Sequence, residues 1–278
     1  DGFHVGLAWS RHETDYGLPG PGGHAHEDDH EEENAAPAAF VAAAGEAAEE
    51  AVRIDQSQDR FDLEAQWTDL AGPFSDVLLR AAYNDYRHDE LEGAEIGTQF
   101  EQQGYDLRLQ LGHAELAGWA GTLGVQYTGT DLEARGEEAY VPPARTDAWS
   151  VFVVERQNFG RLAVDLGGRI ERQEIDVDAS ARDYAGTAFT VATGLLWSFD
   201  EALTGAVQLT RSARHPQAAE LYADGPHLAV GRYEIGDDGL DVETATTLDL
   251  GLRREGPLHW HLSLFYSDFS DYIYAAAT

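Results

Sequence analysis

The most constraining feature of this chain is period-two alternation that recurs along most of its length. Phe3, Val5, Leu7 and Trp9 alternate with His4, Gly6, Ala8 and Ser10. Val77, Leu79, Ala81 and Tyr83 alternate with Leu78, Arg80, Ala82 and Asn84, and Tyr105, Leu107, Leu109 and Leu111 with Asp106, Arg108, Gln110 and Gly112. The pattern returns at Phe189–Trp197 and again at Leu258–Tyr266. Successive side chains of a strand point to opposite faces, so this pattern predicts strands with one apolar and one polar face.

About eleven such segments are predicted, near 2–13, 53–68, 76–89, 98–113, 119–133, 147–157, 161–175, 187–199, 203–213, 243–254 and 258–273. Each reaches the roughly 9–11 residues that a tilted strand needs to cross a bilayer. Aromatics gather toward segment ends, at Trp9, Trp67, Tyr83, Tyr105, Trp119, Tyr127, Trp149, Trp197, Trp260 and Tyr266. Two aromatic girdles around an apolar band are the outward face of a membrane barrel. A soluble β-sandwich would have shorter strands and less regular aromatics. Mean hydropathy is −0.40, but alternation hides an apolar band from any average.

The connections alternate in length. Asp69–Ser75, Ala114–Gly118, Gln157–Gly160, Asp200–Ala202 and Glu255–Pro257 are short. Tyr16–Val52, Asp89–Gly97, Ala134–Thr146, Asp176–Gly186 and Arg214–Val242 are long. Short turns at one end and long loops at the other predict periplasmic and extracellular ends.

The first long loop, about residues 17–52, carries His24, His26, Glu27, Asp28, Asp29, His30 and Glu31–Glu33: three imidazoles and six carboxylates in ten residues. Imidazole with carboxylate is a ligand set for a borderline divalent ion such as zinc. His24 and His26 face one side of an extended segment and His30 can fold back to them. Ala35–Glu50 is low in complexity and carries no function on this reading. By parity the inward, polar register holds His4 and His12, then Asn84, Tyr86 and His88, then His259 and His261. His113 falls on the outward register at a turn. His88 and Glu90, at a loop end, are a second set of candidate ligands, and His227 joins them from the last long loop.

Net charge is −33, and all 18 basic residues are arginine. Such a surface attracts cations and disfavours nucleic acid. The absence of cysteine removes thiolate metal sites and disulfides. No phosphate loop precedes a helix and no G-x-S-x-G motif is present, so no enzyme is expected.

Arg211-Ser-Ala-Arg-His-Pro-Gln-Ala-Ala-Glu-Leu-Tyr222 resembles the R-x-P-x-x-x-E-L-Y box of TonB-dependent receptors. Gly225–Gly231 and Tyr233–Thr244 continue it, the second resembling the family's G-N-P-x-L-x-P-E-T segment with Asp238-Gly239 in place of Asn-Pro. The boxes span about residues 211–252. Tyr16-Gly-Leu-Pro-Gly20 with the histidine-rich loop, Tyr86–Thr98 and Gly136–Pro143 resemble the zinc-uptake branch of that family.

The resemblance implies an all-β, antiparallel transmembrane barrel in the bacterial outer membrane, with residues 1–278 forming about half of a 22-stranded wall. It implies a plug domain and TonB box outside these residues, through which the TonB complex acts. The expected partners are outer-membrane lipid and a transported divalent metal, zinc foremost. A haem or siderophore receptor is the alternative on the same fold, and a cation-buffering soluble or surface β-protein the alternative on another.

Overall fold

The computed structural model describes residues 2–18, 52–136, 139–178, 182–227 and 232–276. His24, His26, Glu27, Asp28, Asp29 and His30 lie outside the described residues.

The strands are β1 (Phe3–Gly17), β2 (Val52–Trp67), β3 (Phe74–Glu92), β4 (Glu95–Leu116), β5 (Trp119–Gly136), β6 (Ala144–Phe159), β7 (Leu162–Val177), β8 (Tyr184–Ser198) and β9 (Leu203–Arg214). There follow a short helix α1 (Ala218–Tyr222), a small hairpin of β10 (Asp224–His227) and β11 (Arg232–Ile235), and then β12 (Glu243–Arg254) and β13 (Trp260–Ser270). One antiparallel sheet of eleven strands runs β1 to β9, then β12 and β13, each strand paired with its sequence neighbour in the wall. All eleven predicted segments are strands of this sheet.

The outward face changes character in rows. Trp9, Phe61, Tyr83 and Tyr105 stand opposite one another on β1 to β4, with ring centroids 6.4 Å apart for Phe61–Tyr83 and 5.1 Å for Tyr83–Tyr105. One row beyond, Arg11 pairs with Asp59 at 3.6 Å. On the other side of the aromatic row the outward positions are apolar, as at Leu7, Leu109 and Val125, down to the stacked Phe3–Trp67 pair at 4.4 Å. Apolar side chains this exposed require lipid contact, and the aromatic rows mark where lipid ends.

The inward face is polar. Arg80 Nε donates to Glu64 at 2.8 Å, Arg169 Nη1 donates to Gln126 at 3.1 Å, and the Arg108 guanidinium lies 4.4 Å over the Phe152 ring. His4, His12 and His261 occupy this register as expected. His113 is outward, its Nε2 2.8 Å from Glu155 Oε1 at the short-turn end. His259 departs from expectation: it precedes β13 in a turn and bonds Glu255 at 2.9 Å.

The turns follow local chemistry. Between β4 and β5 only Ala117 and Gly118 remain, both with positive φ (54° and 89°). That pairing is the two-residue hairpin turn whose twist matches the strands, and glycine supplies its second position without strain.

The predicted long loop Asp89–Gly97 is corrected. β3 runs to Glu92 and β4 starts at Glu95, so Gly93-Ala94 is a tight turn and Glu90 is a strand residue. The acid-rich sequence reads as loop because both faces of a hairpin beyond the lipid are free of the apolar requirement, while its backbone still pairs. The loop Arg214–Val242 is likewise structured, by α1 and the β10–β11 hairpin.

Candidate functional site

The site lies at the long-loop end of the inward face, where α1 and its hairpin fold back against the wall. Arg214 at the end of β9 donates to both oxygens of Glu220 (3.0 and 2.9 Å), and Glu220 accepts the Gln217 backbone N–H at 2.8 Å. A carboxylate held at a helix start satisfies an otherwise orphaned amide. Leu221 and Tyr222 then bury against Ala144 and Ile175, inward residues of β6 and β7. The Tyr222 hydroxyl donates to the Arg182 carbonyl at 2.9 Å. The chain emerging from α1 is tied to the loop between β5 and β6, since Asp224 N donates to the Tyr140 carbonyl at 2.7 Å. This delivers His227 to the wall.

The wall contributes a patch from β3 and β4. His88 stands opposite Phe100, and Glu90 opposite Thr98. Glu90, Thr98 and Phe100 are 2%, 1% and 7% exposed. His88 stacks on Phe100 with centroids 4.5 Å apart, Phe100 meets Tyr140 edge-on at 5.9 Å, and Tyr140 stacks on His227 at 4.3 Å. Four rings thus run without a break from wall to hairpin. Each imidazole has a carboxylate beside it: His88 Nε2 is 3.7 Å from Glu90, and His227 Nδ1 is 3.1 Å from Glu234. The Tyr140 hydroxyl is 3.4 Å from His227 Nε2. Burial among these rings, with Glu234 and Glu90 nearby, pushes the Tyr140 phenol up to about 12. Tyr140 is therefore a neutral hydroxyl at physiological pH.

The structure brings His88 and Glu90 together as one pair and sets His227 in another, bridged by rings rather than merged. Among the described residues, no three His, Asp, Glu or Cys side chains gather at a single metal position. Sequence reasoning missed Phe100, Tyr140, Thr98 and Glu234. A signal existed for two of them. Phe100 is a large aromatic on an otherwise polar register, and Tyr140 lies inside the Gly136–Pro143 motif.

Residues 4–278 match the family model described as TonB dependent receptor-like, beta-barrel. The chain belongs to the TonB-dependent receptor β-barrel family. Its fold is similar to that of the copper transporter OprC, with a TM-score of 0.64 and 14% identity over 78% of this chain and 42% of that one. It is similar also to the FrpB iron transporter of Neisseria meningitidis, with a TM-score of 0.62 and 12% identity over 79% and 37% of the two chains. The hemophore receptor HasR of Serratia marcescens, in complex with its hemophore HasA and heme, gives a TM-score of 0.65 and 13% identity over 80% and 41%. The chain spans about two fifths of the length of each of these.

As a TonB-dependent receptor wall, the sheet is an outer-membrane barrel segment, and eleven strands are half of a 22-stranded circuit. The Arg214…Glu220-Leu221-Tyr222 box now has a physical role: it caps α1 and anchors the hairpin inside the wall.

Proposed function

We propose that this barrel wall belongs to a receptor that takes up a divalent metal ion, zinc foremost, through a TonB-energised cycle. The observation that carries the reading is the pair of imidazole–carboxylate contacts, His88–Glu90 and His227–Glu234, on the inner side of the wall. They sit at the same end as the connection from Gly17 to Val52, whose residues His24, His26, Glu27, Asp28, Asp29 and His30 supply further ligands of the same kind. In this reading the histidine run gathers the ion outside and the inner pairs receive it. The net charge of −33 raises cation concentration at the mouth.

Ligand type alone does not separate zinc from copper, since intrinsic affinity favours copper. The test is growth on limiting metal by cells carrying the receptor with or without Gly22–Glu33, beside zinc, copper and haemin titrations of the purified protein. Zinc-dependent growth that falls on deletion supports the proposal. Haemin retention with indifference to zinc assigns the haem reading instead, with His227 as its candidate ligand.

A further inference from the structure

The two inner pairs differ in how far they are already satisfied. At the hairpin the bonds close without a metal. His227 Nδ1–H can donate to Glu234 at 3.1 Å while Nε2 accepts from Tyr140 at 3.4 Å. At the wall they do not. His88 Nε2 and Glu90 Oε1 are 3.7 Å apart, beyond a hydrogen bond. Among the described residues the hydroxyl of Thr98, directly across the strand pair from Glu90, is buried with no partner, as is His88 Nδ1, the ring nitrogen other than the one nearest Glu90. Buried polar atoms without partners are costly, and a native site that keeps them calls for a ligand. A separation of 3.7 Å is also less than two metal–ligand bonds of about 2.0–2.2 Å laid end to end, so one ion can bridge the pair.

Resting on the metal-uptake reading, we infer that His88, Glu90 and Thr98 form a divalent-cation station on the wall, distinct from a second station at His227 and Glu234. The Phe100–Tyr140 ring pair divides the two. Each station offers only two strong protein ligands, and water completes the shell. That composition suits passage, because an ion in transit must bind well enough to enter and weakly enough to leave. Thr98 adds a hydroxyl oxygen to the wall station. Tyr140 holds the His227 ring at Nε2, and because its hydroxyl can accept from Nε2–H as well as donate to Nε2, the neutral imidazole can turn a bare Nδ1 to an ion beside Glu234 by changing tautomer, with no net proton released.

The test uses the full receptor with Gly22–Glu33 deleted, so that the external run does not dominate the count, titrated with zinc by calorimetry. Two weak equivalents are expected. His88→Ala and Glu90→Gln should each remove one and leave the other. His227→Ala and Glu234→Gln should remove the second equivalent and leave the first. Thr98→Val, which keeps shape and loses only the hydroxyl, should weaken the wall equivalent by about tenfold, while Thr98→Ser restores it. Circular dichroism of each variant checks that the barrel is intact, and Thr98→Val covers the case in which Glu90→Gln does not assemble. A single equivalent abolished by changes at either pair would overturn the two-station inference, as would two equivalents untouched by changes at His88, Glu90 and Thr98. If the undeleted receptor itself bound no divalent metal, the uptake reading would fall instead. If it bound metal only through the run, the stations alone would fall.

Discussion

Tyr140 and His227 lie face to face, with ring centroids 4.3 Å apart and the phenol oxygen 3.4 Å from Nε2. One ring comes from the loop between β5 and β6, the other from the end of β10. Their stack joins the returning hairpin to the wall. A stacked pair of this kind is worth about 0.5–1.5 kcal/mol beyond the area it buries. Tyr140→Ala is expected to loosen the hairpin by on the order of 1 kcal/mol or more, and Tyr140→Phe by less. Hydrogen exchange at the amides of Asp224, Gly225 and His227 reads the difference. Unchanged protection in Tyr140→Ala would show that the Asp224–Tyr140 backbone bond holds the hairpin alone.

The Arg214–Glu220 pair anchors α1. Glu220→Ala removes two charge-assisted bonds and the acceptor for the Gln217 amide. The pair is partly exposed, so the ionic part counts for little after screening. The expected cost is about 1–2 kcal/mol, mainly from the lost cap. It should appear as faster proteolysis between β9 and β12, with the wall strands unaffected.

His215 sets a pH dependence for the docking of this segment. It is 5% exposed, and burial holds its imidazole below the usual range, with Glu171 opposing the shift and Arg172 adding to it. Its Nδ1 meets the Tyr184 hydroxyl at 2.8 Å. A lowered folded value means that the contribution to stability is complete above the unfolded value of about 6.5 and is lost as pH falls from there through the folded value. Exchange protection of α1 should therefore weaken on acidification below about pH 6.5. His215→Gln should flatten that dependence; a profile identical to that of the parent protein would assign it to other groups.

Leu109 lies in the middle of the outward band, across from Leu79 and Val125. Leu109→Arg should cost roughly 2–4 kcal/mol in the bilayer, as charges on the lipid face do near the midplane. The same change at Arg11's row, beyond the aromatic girdle, should cost nearly nothing. Reversible folding into lipid vesicles under denaturant measures both. Equal costs at the two depths would contradict the assigned lipid boundary.

Much of this was legible in the linear chain, for a local reason. Alternation between Val77 and Tyr83 states a strand and its two faces, because neighbouring side chains of a strand must diverge. Ala117-Gly118 states a turn through backbone freedom. The same reasoning failed at Asp89–Gly97, where strand pairing continues past the lipid and no apolar face remains to betray it. It failed too at Glu234, one acid among many until the hairpin placed it beside His227.

The sequence by itself determined the strands, their inward and outward registers, the lipid-facing rows and the candidate ligands His88, Glu90 and His227, since each depends on near neighbours and on the demand that a bilayer makes of a strand. Only the tertiary structure decided that Phe100 and Tyr140 link His88 to His227, that Thr98 stands across from Glu90, and that the candidate ligands fall into two pairs. Those relations join β3 and β4 to a distant hairpin through the docking of α1 on Ile175 and Ala144. Such contacts are set by packing between segments that share no local pattern.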